Sequence, residues 1–205
     1  MKDIKIFFDL ETTGINPYTC EVIEGNFQEY INDKKTREYN FKSRVNYWCS
    51  DAAIIHKISK KECMSYPDKK DAYRNLLSWL PKGFTFFTFA NKNTELGVIN
   101  YDVAVLENEL NLIGCGNYFL KNTFKMKAPI SVHSLAKEAA KRQCFTPIKK
   151  KSQSGRMIQT FTQENVYRAI FGRGYLGHRA KIDVDKLVEI YYELLRLSNE
   201  TRTFI

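Results

Sequence analysis

Two spacings of apolar residues run along this chain, and the switches between them mark its elements. Residues 3–10 alternate at a spacing of two, with Ile4, Ile6 and Phe8 set against Lys5, Phe7 and Asp9, which predicts a strand. Residues 21–31 and 36–45 predict two more strands, joined by the polar turn Asn32-Asp33-Lys34-Lys35. A strand followed by a hairpin predicts a sheet that begins antiparallel. Short helical pieces are expected over 50–64. A helix is expected over 68–80, with Ala72, Leu76, Leu77 and Leu80 on one face and Pro81 as its stop. A strand rich in Phe and Thr follows over 84–90. Residues 101–113 place Val105, Leu106, Leu110 and Ile113 on one stripe, the signature of a helix. A strand near 118–126 and helices near 132–142, 162–171 and 180–197 complete the reading. There is no internal repeat and no interdomain linker. The order of elements predicts one α/β domain over residues 1–205, built on a mixed β-sheet flanked by helices.

Composition narrows the class. The chain has 205 residues, 43% of them hydrophobic, which supports a packed core rather than disorder. No apolar run reaches the roughly 18 residues of a membrane span, and the opening segment meets Asp3 and Asp9 too early for a signal-peptide core. The five cysteines, Cys20, Cys49, Cys63, Cys115 and Cys144, are scattered, with no C-x-x-C pair. Reduced thiols follow, in a soluble protein of the cytoplasm or nucleus. The net charge of +9 points to a polyanionic partner. Part of that charge lies between Lys141 and Arg156, a stretch with no acidic residue, expected as a mobile basic loop. It either grips a phosphate backbone, through Lys149, Lys150 and Lys151 among others, or is an ordinary solvated loop.

Acids in unexpected places carry the chemistry. Asp9 and Glu11 are two residues apart at the end of the first strand and therefore project from the same face. Like charges so close repel unless a cation lies between them; the alternative is a strand end that faces water. Asp102 shares a helix face with Val105 and Leu106, where a carboxylate is either an N-cap or a metal ligand. Asp183 heads the stripe Leu187, Ile190 and Leu194, with His178 just upstream. A lone His of this kind is ordinarily structural. Four acids on three elements with a nearby His make a joint case for Mg²⁺ or Mn²⁺, whose preferred ligands are oxygens. A pair of such ions clamps a phosphoryl displacement, and a His near neutrality accepts the proton from water.

These residues resemble a known family. Phe8-Asp9-Leu10-Glu11-Thr12-Thr13-Gly14 is similar to the first motif of the DEDDh exonucleases, a group within the DnaQ-like, ribonuclease-H-like superfamily. Asn100-Tyr101-Asp102-Val103-Ala104-Val105-Leu106-Glu107-Asn108-Glu109-Leu110 resembles the second, with a flavour of the three-prime repair exonucleases. His178-Arg179-Ala180-Lys181-Ile182-Asp183 matches the third, H-x-A-x-x-D. Ala53-Ile54-Ile55-His56-Lys57-Ile58-Ser59 is similar to a segment that these enzymes carry between the first two motifs.

The resemblance implies a ribonuclease-H-like fold and hydrolysis of phosphodiester bonds from the 3′ end of DNA or RNA, releasing nucleoside 5′-monophosphates. It implies that two Mg²⁺ or Mn²⁺ ions are held by Asp9, Glu11, Asp102 and Asp183, that His178 is the general base, and that Leu10, Thr12 and Thr13 lie beside the terminal nucleotide. The expected partner is a nucleic acid with a free, single-stranded 3′ end, and a polymerase or a second copy of the chain are further candidates. Two rivals keep the same fold: a catalytically silent nucleic-acid-binding module, and a proofreading component of a polymerase assembly. Lost catalysis ordinarily shows as a replaced carboxylate, and here none is replaced. Two positions depart from the family pattern. Val98 stands where an Asn is usual four residues before the second-motif Asp, with Asn91 as its candidate counterpart across an insertion near 92–99, and His133 stands where relatives often carry Asp. His56 and His133 are expected as structural or surface residues. Tyr47, Trp48 and Phe41 are expected in packing rather than base stacking.

Overall fold

The computed structural model describes residues 2–89, 91–94, 97–115 and 121–202, with the backbone alone for 91–94, 97–99, 201 and 202. Its centre is the strand β1 (Ile4–Thr12), which runs past the predicted end at residue 10, so Glu11 lies within the strand as Asp9 does. β1 pairs antiparallel with β2 (Val22–Ile31), which pairs antiparallel with β3 (Lys34–Lys42). The β2–β3 turn is the dipeptide Asn32-Asp33, both residues at positive φ, 51° and 64°. These are the residue types and dihedrals of a tight hairpin turn that matches strand twist. On its other side β1 pairs in parallel with β4 (Phe84–Thr88), and β4 with the short β7 (Ile130–Ser131), giving the order β3-β2-β1-β4-β7. The sheet is therefore mixed, as the order of elements predicts.

Helices cover both faces. α1 (Ser50–His56), α2 (Lys60–Met64) and α3 (Lys69–Trp79) follow the hairpin; α4 (Tyr101–Leu112) follows a small hairpin of β5 (Asn91–Thr94) and β6 (Gly97–Asn100). α5 (Val132–Lys141), α6 (Gln163–Phe171) and α7 (Ala180–Arg202) follow β7. The two-residue period of β1 divides the core. Ile6, Phe8 and Leu10 pack with α3 and α4 against Phe27, Phe84 and Phe86, where Phe8 stacks on Phe27 with ring centroids 5.0 Å apart. Phe7 packs on the opposite face with Val132, Tyr167, Leu187 and Ile190 of α5, α6 and α7. Each such ring pair contributes about 0.5–1.5 kcal/mol beyond the area it buries. Asp9 and Glu11 share the face of Phe7, which is how the strand aims two carboxylates toward α7. A third, smaller cluster of Ile23, Val45, Ile58, Cys63 and Tyr66 lies under α1 and α2.

Two expectations are corrected. Residues 121–123 form a helical turn and 125–129 no regular structure, so no strand forms in the described part of 118–126; residues 116–120 lie outside the described residues. Phe124 and Met126 do alternate with Lys125 and Lys127, but Lys125 sits at φ 53°, outside strand geometry. The stretch 141–156 is not wholly a loop: β8 (Lys149–Lys151) pairs antiparallel with β9 (Met157–Gln159) around a turn that holds Gly155 at φ 80°. Every residue of both strands is exposed, so no hydrophobic alternation announces them. None of the five cysteines is in a disulfide. Among the described residues, no helix is long and apolar enough to cross a membrane.

Candidate active site

A cavity of about 850 Å³ opens beside the end of β1, and Asp9, Glu11, Asp102, His178 and Asp183 all line it. One carboxylate oxygen from each of Asp9, Glu11 and Asp183 lies within 4.8 Å of the others. Asp102 joins them from the first turn of α4. It is 2% exposed. The N-cap of that helix is Asn100, whose side chain accepts the Val103 N–H at 3.3 Å and the Thr88 hydroxyl at 2.7 Å. The capping alternative for Asp102 therefore falls, because Asn100 already does that work.

Electrostatics record how closely these acids are packed. Burial first, then the charges of Asp102, Asp183 and Glu11, hold the Asp9 carboxyl well above the ordinary carboxylate range. Burial, then Asp183, Glu24 and Asp102, push Glu11 up to about 8, against the opposing pull of Arg179. Asp183 is also raised by burial, with the His178 N–H and the Tyr175 hydroxyl acting in the other direction. Such a set satisfies itself in only two ways, by protonation or by a cation. The donors are all oxygens, come from three elements and converge on one cavity, so they fit hard divalent ions such as Mg²⁺ or Mn²⁺.

A stability prediction follows from the raised values. Glu11 moves from 4.5 to about 8, so between those pH values the folded protein binds more protons than the unfolded chain. Stability conferred by the protonated cluster is complete below about pH 4.5 and is lost as pH rises through 8. Without metal, Tm is expected to fall from pH 5 to pH 8, and Mg²⁺ to raise Tm more at pH 8 than at pH 5. Differential scanning calorimetry with and without EDTA checks this. A Tm indifferent to Mg²⁺ at pH 8 contradicts it.

His178 is exposed and adopts φ 67°, in the left-handed region. Its backbone N–H donates to Asp183 Oδ2 at 2.6 Å, which ties the loop to α7. Gly177 makes that approach possible, since a Cβ there would lie 2.7 Å from Asp183 Oδ1 and 3.1 Å from the Tyr175 ring. Gln163 holds the other side by donating to the Asp183 carbonyl at 2.6 Å. Gly177→Ala is expected to displace the Asp183 carboxylate and weaken Mn²⁺ binding about 10- to 100-fold, the usual effect of disturbing a ligand's supporting shell. Calorimetric Mn²⁺ titration checks this, with circular dichroism confirming the fold; unchanged affinity would refute it.

Arg179 anchors the same loop to the sheet. It donates to Glu24 at 3.0 Å, and Glu24 is the direct cross-strand partner of Glu11. Neither Glu24, Tyr175, Gly177 nor Arg179 stood out in the sequence. The faint signals were a Gly before the His and an acid inside β2.

The remaining predicted residues divide. Leu10 lines the cavity. The Thr12 hydroxyl donates to the Gly14 carbonyl at 2.7 Å, and the buried Thr13 hydroxyl accepts the Glu21 N–H at 2.9 Å. Both therefore shape the loop after β1, and neither lines the cavity. Lys150 faces the cavity, whereas Lys149 and Lys151 flank it on exposed β8. The Asn91 side chain lies outside the described residues. His133, expected as structural or surface, lines the cavity. His56 is buried, and its Nδ1 accepts the Ile58 N–H at 3.0 Å, a structural role. Phe41 is core, Trp48 packs on the third cluster, and Tyr47 is exposed away from the cavity.

By sequence, no family model and no curated protein matches this chain. By structure, it is similar to the zinc-bound complex of E. coli exonuclease I with single-stranded DNA, with a TM-score of 0.77 and 12% identity over 100% of this chain and 43% of that one. It is also similar to E. coli exonuclease I in complex with a dT13 oligonucleotide, with a TM-score of 0.75 and 14% identity over 98% of this chain and 42% of that one. A moderately thermophilic exonuclease I from Methylocaldum szegediense matches with a TM-score of 0.74 and 13% identity, over 95% and 40% of the two chains. The fold is ribonuclease-H-like. Identity this low fixes the architecture and assigns no residue a role. The chain spans less than half the length of these structures.

Proposed function

We propose that this chain is a divalent-cation-dependent 3′→5′ exonuclease of the DEDDh kind, acting on single-stranded ends. The observation that carries the reading is the convergence of Asp9, Glu11, Asp102, Asp183 and His178 at one cavity, in the order and spacing of the three motifs. The likeness to exonuclease I structures that hold single-stranded DNA supports it. The Tyr101-Asp102 to Glu109-Leu110 pattern keeps the three-prime repair exonucleases as the sequence-level leaning within the group. All five groups come from one chain, so neither a polymerase nor a second copy is needed to complete the site.

Asp9, Glu11 and Asp183 would hold one cation, and Asp9 with Asp102 a second. When bound, the pair would supply charge neutralisation on the scissile phosphate and a lowered pKa for the attacking water. The protein's own part is to orient and to move protons. The loop Gly177-His178-Arg179, tied to Asp183 and Glu24, fixes the backbone from which the His178 ring takes up the proton of the attacking water at a ring nitrogen. Exposure of that ring lets the proton pass to solvent. Leu10, from β1, packs beside the nucleoside.

The test uses 5′- and 3′-labelled oligonucleotides of DNA and RNA with Mg²⁺, Mn²⁺ or EDTA. A ladder of 5′-labelled fragments shortened from the 3′ end, absent with EDTA, is expected. Binding without shortening in any metal would favour the silent module instead.

A further inference from the structure

A charged network lies inside the apolar layer between α3 and α4, and none of its members lines the cavity. Glu109 is 1% exposed, beside the buried Leu106 and Leu110 of the same helix. Its carboxylate meets Lys69 Nζ at 3.2 Å and accepts the hydroxyl of the buried Tyr73 at 3.1 Å, both from α3. Lys69 also pairs with Glu21, which accepts the Tyr47 N–H at 2.8 Å and the Asn46 side-chain amide at 3.0 Å. We propose that Lys69 and Glu109 are positioning residues, which set the rotation of α4 about its axis and so keep Asp102 turned to the cavity. The proposal rests on the exonuclease reading only for what Asp102 then does.

Three observations support it. The first is spacing. Asp102 and Glu109 are seven residues apart on one helix, which returns to the same face within about 20° after about 10 Å of rise. A twist that parts Glu109 from Lys69 therefore carries Asp102 the same way. The second is that stability does not account for the pair. Burial pushes the Glu109 carboxyl up, with Lys69 and the Tyr73 hydroxyl acting against it. Apolar side chains of the same volume ordinarily stabilise as well as a buried ion pair or better, and Val105, Leu106 and Leu110 already pack α4 into the core. Apolar contact has no direction, whereas charge-assisted hydrogen bonds fix an orientation. The third is continuity with Glu11. α4 is tied along its length to the loop that leaves β1: the Tyr101 hydroxyl donates to the Gly14 carbonyl at 2.7 Å, and the Asn108 side chain to the Tyr18 carbonyl at 3.2 Å. Lys69 closes that side through Glu21, whose N–H donates to the Thr13 hydroxyl and whose carbonyl accepts the Thr13 N–H, both at 2.9 Å. One network thus registers the helix of Asp102 against the strand of Glu11.

The experiment replaces the network by apolar contact. The double variant Tyr73→Phe/Glu109→Leu strands no buried polar group, and Lys69 keeps Glu21, so its Tm in EDTA is expected to equal or exceed that of wild type. In a metal-free crystal structure of this variant, Asp102 is expected to stand about 1 Å or more from its wild-type place, a misplacement that lowers kcat about 10²-fold. KM for a labelled oligonucleotide is expected to change little. Calorimetric Mn²⁺ titration is expected to keep one site as in wild type and to weaken the other about 10- to 100-fold. Glu109→Gln, which keeps the shape and the hydrogen bonds, is expected to behave as wild type in all of these. Should the double variant fail to fold, Lys69→Met carries the same expectation for Asp102. Asp102 in its wild-type place would overturn the proposal, and so would equal weakening of both Mn²⁺ sites, which marks a general loosening rather than the turn of one helix. The place of Asp102 is read without substrate or metal, so a wild type that leaves labelled strands intact fails the exonuclease reading alone.

Discussion

Asp9→Asn is expected to abolish metal-dependent shortening of a 3′ end while making the metal-free protein more stable at pH 8. Both halves follow from one geometry. Asp9 lies between Asp102, Asp183 and Glu11, each of which raises its pKa through its charge. Asn keeps the shape of the side chain and removes a negative charge, so repulsion falls and Tm in EDTA rises. The same change leaves Glu11 and Asp183 without the third oxygen of their cluster, and the second cation, which Asp9 would share with Asp102, loses its bridge. Activity is therefore expected to drop to the background of the assay, and Mg²⁺ is expected to lose its stabilising effect. Labelled-oligonucleotide digestion and calorimetry, run on one preparation, check the two halves. Wild-type digestion by Asp9→Asn would end the proposed function. Loss of digestion with lowered stability would instead mark Asp9 as structural.

His178→Ala is expected to reduce kcat by about 10²–10⁴, the ordinary contribution of a positioned general base, with Mn²⁺ affinity little changed. The separation is possible because His178 meets Asp183 through its backbone N–H rather than its ring, so truncating the side chain spares the ligand's support. The φ of 67° adds a complication, since Ala is strained there. Asn tolerates that region better than most residues, which makes His178→Asn the companion variant, with the same expected loss of kcat. Loss of rate in both variants at unchanged Mn²⁺ affinity supports the proton role. Rates within threefold of wild type in either variant would remove His178 from the chemistry.

Much of this arrangement could be read from the sequence because two simple periods set it. The spacing of two put Asp9 and Glu11 on one face of β1, and the structure shows Phe7 on that face packed beneath α7. Asp183 heads the stripe Leu187, Ile190 and Leu194, all of which are buried. Asp102 was harder to place. Asn100 and Asp102 both suit a cap by type, and what decides between them is that the Asn100 side chain accepts the Val103 N–H, steadied by the Thr88 hydroxyl of β4.

What stayed hidden depends on register and on contacts between distant segments. The Glu24–Arg179 tie needs the pairing of Glu11 with Glu24, next to an irregularity at Thr12 that no local pattern reveals. The cavity lining also draws on Phe89 and Phe161, which nothing in the chain around them marks, and on His133, which the sequence marks only as a departure from the family pattern. The β8–β9 hairpin escaped because its strands are exposed on both faces and leave no alternation to read.

Anomalous diffraction from crystals soaked in Mn²⁺ tests the convergence of the acids most directly. The expected result is one Mn²⁺ peak among carboxylate oxygens of Asp9, Glu11 and Asp183, and a second between Asp9 and Asp102. Saturating Mn²⁺ with no peak at these carboxylates, or with peaks only at other surface acids, would contradict it.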